Sequence, residues 1–214
     1  MTRAAIFDMD GVIIDNEPLQ RVVWVNFFHS RNIAISEEQF VQMKGRRSYD
    51  VLSNLMPGLS PNEIEELCRE RSGLYLKHIK SGFKPVKGIR AFVEELVREG
   101  LAIGVATSAH QSALFLLEKV GIKDMCSAIV TGDQVTKGKP DPEIYLKAAA
   151  LLNVEPSDCL AFEDSKNGVK SAKSAGMRVV ALLTSYGRGS FPDAAYEMSD
   201  FEQISGKKLL SLLA

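Results

Sequence analysis

Two carboxylates one residue apart and followed by a glycine, Asp8-Met9-Asp10-Gly11, stand directly after the short apolar run Ala4 to Phe7. A run of that kind, stopping at a charge, suits a strand buried on both faces of a parallel sheet. Ligands of open parallel sheets gather at the carboxyl ends of the strands. With Asp8 ending the strand and Asp10 in the loop, both acids can reach one reacting centre from different sides, one attacking while the other moves a proton. Gly11 lets the backbone turn sharply there. A bare pair of loop acids more simply faces water or caps a helix, so it is the place at a strand end that points to chemistry. Three further features follow apolar runs: Thr107-Ser108 directly, Lys139-Pro140 after a loop, and Glu163-Asp164-Ser165 directly. Each alone has an ordinary explanation, as an N-cap, a solvated lysine or a favourable helix start. Together they bring acids, a hydroxyl and a cation to strand ends in the order a parallel sheet supplies them.

The elements that must hold these residues read as a repeating pattern. Apolar runs recur at 101–106, 128–130, 159–162 and 179–183, and helical patterns at 89–98, 112–119 and 143–152 lie between them. That alternation predicts an α/β core with a doubly wound parallel sheet, Rossmann-like in kind. Gly100, Gly121 and Gly176 fall where a glycine just past a helix end is expected. A short terminal helix, Gly206 to Ala214, is expected to pack its leucines on the sheet. One stretch breaks the alternation, because between Asp15 and Val86 there are four amphipathic segments, near 17–31, 36–43, 48–56 and 61–80, and no convincing strand. This is far longer than a usual βα crossover. It reads as an inserted α-helical cap domain over residues 16–85, seated above the end of the first strand. The core is then 1–15 and 86–214, with Lys84-Pro85 at the return hinge.

Composition narrows the function classes. A chain of 214 residues buries roughly 70% of the surface its unfolded form exposes, so a metal would serve chemistry rather than folding. The 26 Lys plus Arg against 27 Asp plus Glu give a net charge of −1, which argues against a nucleic-acid binder working by bulk charge. No run approaches the ~18 apolar residues of a membrane span, and acids begin at Asp8, too early for a signal peptide. Cys68, Cys126 and Cys159, odd in number and too far apart for a CxxC site, fit reduced thiols. A cytoplasmic location is expected, with no nucleic acid and no membrane as partner, and with the chain acting as a monomer. Gly132 to Pro140 has Lys137 and Pro140 where a phosphate-binding loop needs Gly and Ser or Thr, which excludes a nucleotide site of that kind. The three histidines have no ligand spacing; His110 follows closely enough on Ser108 to line the same place, against a plain surface role.

Taken together, Phe7-Asp8-Met9-Asp10-Gly11-Val12-Ile13-Ile14-Asp15, Ala106-Thr107-Ser108, Gly138-Lys139-Pro140-Asp141-Pro142 and Phe162-Glu163-Asp164-Ser165 resemble the four signature motifs of the haloacid dehalogenase-like hydrolases. The resemblance is to the branch with a helical cap after the first motif, which holds sugar-phosphate phosphatases and β-phosphoglucomutase. It implies that Asp8 is the nucleophile that takes a phosphoryl group as an aspartyl phosphate. Asp10 would protonate the leaving alkoxide and then activate water. A dianionic substrate facing several acids requires cations, and the family pattern supplies Lys139 and Mg²⁺. The metal would be held by Asp8, the backbone carbonyl of Asp10, and Asp164, with Glu163 ligating it or holding a water on it. Thr107 and the Ser108 backbone amide would hold the phosphoryl oxygens.

Substrate choice is expected in the insertion. Lys44-Gly45-Arg46-Arg47-Ser48 sits at a helix break, where a glycine beside cations suits a phosphate or a sugar hydroxyl; Lys44, Arg46 and Arg47 are candidates there, with Glu17 and Gln20 just after the first motif. The expected partner is a small phosphorylated metabolite, and the expected reaction is Mg²⁺-dependent hydrolysis of small phosphomonoesters. The nearest alternative is a β-phosphoglucomutase-type phosphosugar mutase, whose pattern places a histidine on the first cap helix where this chain reads Asn16-Glu17-Pro18-Leu19-Gln20. A receiver-type binding switch also puts acids, a hydroxyl and a lysine at strand ends. It lacks a seventy-residue insertion, and its phosphate-accepting aspartate comes later in the chain.

Overall fold

The computed structural model describes residues 2–110 and 112–213. In chain order they form β1 (Ala4–Phe7), β2 (Ile14–Asp15), α1 (Glu17–His29), α2 (Glu37–Met43), α3 (Ser48–Leu55), α4 (Pro61–Ser81), β3 (Lys84–Pro85), α5 (Ile89–Arg98), β4 (Ala102–Ala106), α6 (Ser112–Val120), β5 (Ala128–Val130), α7 (Glu143–Leu152), β6 (Cys159–Glu163), α8 (Lys166–Ser174), β7 (Arg178–Leu182), β8 (Tyr196–Met198) and α9 (Gly206–Leu212). Ala214, the end of the expected terminal helix, lies outside the described residues.

Six strands make one parallel sheet in the order β5-β4-β1-β6-β7-β8. The chain leaves β1 toward β4 and β5, then crosses to the other side of β1 for β6, β7 and β8. The winding therefore reverses at β1, and the crevice above its carboxyl end is where a ligand has room between diverging connections. Successive strand residues point to opposite faces. Phe7, Val105, Phe162 and Val180 join one core with Phe92 of α5, Leu116 of α6 and Leu209 of α9. Ile6, Ala106, Ala161 and Val179 join a second core with Tyr145 of α7 and Ala172 of α8. Burial on both faces is why these strands read as unbroken apolar runs rather than as alternation.

The insertion has its own apolar centre. Trp24, Phe27 and Phe28 of α1 meet Phe40 of α2, Leu52 of α3 and Ile64 of α4, with Trp24 stacked on Phe28 at 5.4 Å between ring centroids. Ser36 with Gln39 and Ser60 with Glu63 form capping boxes that start α2 and α4. Both connections between this helical layer and the sheet pass through the antiparallel pair β2 and β3, Ile14 opposite Pro85 and Asp15 opposite Lys84. The expected hinge is thus a two-residue ribbon. A second difference is β8, an edge strand that buries only Met198 of its three residues, too short and too polar to show as an apolar run. Among the described residues no helix is long and apolar enough to cross a membrane.

Candidate active site

The last registered pairs of the central strands set Phe7 opposite both Val105 and Phe162. One residue further along the three strands come Asp8, Ala106 and Glu163, and the ammonium of Lys139 gathers all three. Its Nζ donates to Asp8 Oδ1 at 2.7 Å, to the Ala106 carbonyl at 3.0 Å and to Glu163 Oε1 at 2.6 Å. Lys139, Asp8 and Glu163 are all buried. A buried cation between buried carboxylates is stable only when paired this closely. Burial pushes the Lys139 pKa down, and the charges of Asp8 and Glu163 more than reverse that, so it ends above its ordinary value. Burial acts on Asp8 in the opposite sense and lifts its carboxyl to about 7, against the pull of Lys139. Asp164, also buried, is raised well above the usual carboxylate range by burial and then by Glu163 and Asp8.

Glu163 is fixed by donors on both oxygens. Oε1 takes, besides Lys139, the hydroxyl of Tyr145 at 2.8 Å; Oε2 takes the amides of Asp164 and Ser165 and the Ser165 hydroxyl, at 3.1, 3.3 and 3.2 Å. Gly168 on α8 is required beneath it, since a Cβ there would stand 1.9 Å from Glu163 Oε1. Gly11 has a φ of +76°, and a Cβ there would lie 2.0 Å from Asp164 Oδ2. The glycine after the paired acids therefore serves both the turn and the approach of Asp164. Ser185 donates to Asp164 Oδ2.

Oxygens of Asp8, Glu163 and Asp164 lie within 4.8 Å of one another, an all-oxygen donor set suited to a hard divalent cation. Among the described residues, Asp8 Oδ2 and Asp164 Oδ1 have no hydrogen-bond partner, whereas both oxygens of Glu163 are engaged. Asp8 and Asp164 are thus the acids free to ligate, and Glu163 is the one that braces Lys139.

Asp10 lies above this floor. Its Oδ1 accepts from Asn16 Nδ2 and from the Tyr75 hydroxyl, the latter at 3.5 Å. Thr107 is buried, and its Oγ1 accepts from the Ala109 amide at 3.1 Å, which leaves the hydroxyl proton to donate. The Ser108 hydroxyl donates to the Gly45 carbonyl of the insertion at 2.7 Å. Asn167 of α8 donates to the carbonyls of Gln42 and Lys44 at 3.1 and 2.8 Å. The insertion is thereby docked on the strand ends, and a cleft is enclosed between the two layers.

Asp8, Asp10, Asp164, Ser108, Glu17, Gln20, Lys44 and Arg46 all line that cleft, and so does His110. Thr107, Lys139 and Glu163 lie beneath its floor. Lys44 and Glu17 neutralise each other there at 2.8 Å. Arg46 reaches Asn54 Oδ1 at 2.9 and 3.1 Å in the amide orientation that satisfies both groups. Arg47 departs from the expectation of a substrate contact. Its guanidinium is bidentate to Asp50, at 2.8 Å on each side, and donates to the carbonyls of Gly132, Val135 and Thr136 at 3.3, 2.7 and 2.9 Å. It ties α3 to the core loop that leads to Lys139. Tyr145, Asn16, Tyr75 and Arg71 belong to the site and carry no motif in the sequence; Tyr145 reads there as one more residue on the buried face of α7.

Residues 5–182 match the family described as haloacid dehalogenase-like hydrolase. The chain is 33% identical to a phosphorylated carbohydrates phosphatase of Thermotoga maritima, over 98% of this chain and 97% of that protein. It is 33% identical to β-phosphoglucomutase of Bacillus subtilis, over 84% and 83% respectively. Among solved structures, a β-phosphoglucomutase from Clostridium difficile superposes with a TM-score of 0.87 at 25% identity, covering 99% of this chain and 97% of that one.

Proposed function

Because the chain belongs to the haloacid dehalogenase-like hydrolases, we propose that it hydrolyses small phosphomonoesters, phosphorylated sugars among them, through an aspartyl phosphate on Asp8. The observation that carries this reading is the pairing at the end of β1. Asp8 is buried against Lys139 with one oxygen facing the cleft, and Asp10 stands two residues on in the same cleft. An oxygen of Asp8 attacks phosphorus, the bond from phosphorus to the leaving oxygen breaks, and Asp10 gives that oxygen a proton. Water then attacks the aspartyl phosphate, Asp10 takes its proton, and phosphate leaves with Asp8 regenerated. Both steps depend mainly on position and charge neutralisation. Thr107 offers its hydroxyl proton, and Ser108 its backbone amide, to the phosphoryl oxygens. Since all three protons of Lys139 are already engaged, the lysine acts by holding Asp8 and offsetting the acid cluster.

Asp8, Asp164 and the backbone carbonyl of Asp10 would hold Mg²⁺, a small cation content with a few protein oxygens. When bound it supplies the positive charge that a phosphate dianion needs beside these acids.

A screen of phosphosugars for released phosphate tests the reading directly. Activity on several of them that stops on chelation, returns with Mg²⁺ and is inhibited by Ca²⁺ is the expected result. Undiminished phosphate release after exhaustive chelation would defeat the charge argument.

A further inference from the structure

One charged side chain of the cleft has no part in this chemistry. Arg71, midway along α4, is more than nine-tenths buried and lines the cleft. Among the described residues it donates from Nη2 to Gln20 Oε1, and its Nε is buried with no partner. The rings of Trp24 and Tyr75 cover the guanidinium, with centroids 4.5 and 5.4 Å from its central carbon. The rings supply no hydrogen-bond acceptor, so the N–H donors along the guanidinium edge are what it has left to bind with. Burial lowers its pKa to about 10, so it is charged at neutral pH.

Of the other cations here, Arg46 is half-buried and meets the Asn54 amide rather than a carboxylate, and the rest have their counter-charge. Lys44 has Glu17, Arg47 has Asp50, and Lys139 has Asp8 and Glu163. No carboxylate lies within ion-pair distance of Arg71 among the described residues; Asp10 acts on it only from further off. A buried cation left unpaired is costly, and an anion with good geometry offsets that cost where a neutral hydroxyl does not. The guanidinium edge is a fork that fits a carboxylate or a phosphate by two parallel hydrogen bonds.

We propose that Arg71 recognises a second acidic group on the substrate, a carboxylate or a further phosphate on the leaving part, so that the cleft prefers phosphorylated sugar acids or bisphosphates to phosphorylated neutral sugars. This rests on the phosphomonoester reading above and names its substrate class.

Two matched pairs test it: 6-phosphogluconate against glucose 6-phosphate for the carboxylate, and fructose 1,6-bisphosphate against fructose 6-phosphate for the phosphate. Initial phosphate release is measured for the wild type, Arg71→Lys and Arg71→Met with Mg²⁺. The same compounds are titrated calorimetrically into the Asp8→Asn protein, where binding is read without turnover. The wild type should favour the acidic member of at least one pair by about tenfold or more in kcat/KM, mostly through KM. Which pair shows the preference says which acid is read. Arg71→Met should bring that ratio to about one, and Arg71→Lys, which keeps the charge but not the fork, should fall between. The proposal is overturned if the wild type shows no acid preference in either pair, or if Arg71→Met loses the same factor on both members. If nothing is hydrolysed while the Asp8→Asn protein still binds the acidic member more tightly, the phosphatase reading fails and the recognition of an acid stands.

Discussion

Asp8 is asked to be two things that conflict, an anion and a buried group. Its raised pKa, about 7, comes first from burial, and Lys139 works against the rise. In chelated buffer the folded protein keeps a proton on Asp8 between the ordinary carboxylate range and about pH 7, where the unfolded chain has released it. The folded state then binds more protons in that window, so this group's contribution to stability declines as pH rises through it. Asp8→Asn nearly preserves shape and removes both the proposed nucleophile and this titration. Phosphate release should fall to less than about a hundredth of wild type. The variant's Tm should gain on wild type between pH 5 and pH 8, where a change of 1 kcal/mol corresponds to roughly 2–4 °C for a chain of this size. Retained turnover would exclude Asp8 as the nucleophile. A Tm difference that does not move with pH would mean that the carboxyl is not held up by its surroundings.

At the scale of elements, Arg47 is where the helical layer meets the loop that delivers Lys139. It precedes α3, is held by Asp50, and reaches three carbonyls between Gly132 and Thr136. Removing a buried cation that satisfies a carboxylate and three carbonyls should cost about 2–4 kcal/mol. For Arg47→Met the expected outcome is a Tm lowered by about 5–15 °C, with KM for a phosphosugar little changed. A raised KM at unchanged Tm would restore Arg47 as a substrate contact. The sequence shows a cationic turn at this place, but which cation faces the ligand depends on carbonyls some 85 residues away, and no local pattern carries that. The same limit explains the other differences. β1 and β4 to β7 were readable because burial on both faces leaves them apolar apart from Glu163 and Arg178 at the ends of β6 and β7. β8 and the ribbon of β2 with β3 are two or three residues long and gain their identity only from their partners. Asp8, Asp10, Thr107, Glu163 and Asp164 were readable because each closely follows an apolar run, and Lys139 because its Gly138-Lys139-Pro140 step comes in order after the run that ends at Val130. Tyr145 and Arg71 lie inside helices, where an aromatic or a long cation fits the helical period without marking a site.

For the whole molecule the question is what would happen to the proposed aspartyl phosphate once the leaving group has gone. A hydrolase lets water in, and a mutase must keep water out until a sugar returns. The layers close on each other through Ser108 with Gly45, Asn167 with Gln42 and Lys44, and Arg47 with the loop before Lys139. Closure is thus available to either reaction, and the discrimination must come from groups on the insertion that sense the sugar and act on Asp10. The mutase pattern has a histidine at the start of the first helix, a side chain able to change charge near neutral pH. Here that place holds Gln20, which accepts from Arg71 and cannot change charge. His29, at the far end of α1, is nine residues on, about 13 Å along the helix. Hydrolysis is therefore the expected fate. The check is to incubate the enzyme with β-glucose 1-phosphate, Mg²⁺ and a trace of glucose 1,6-bisphosphate, and to follow glucose 6-phosphate and inorganic phosphate together. Free phosphate from this and other sugar phosphates, with little glucose 6-phosphate, is the outcome that the Gln20 site predicts. Stoichiometric glucose 6-phosphate with little free phosphate would show that other groups on the insertion exclude water, and would make the protein a mutase.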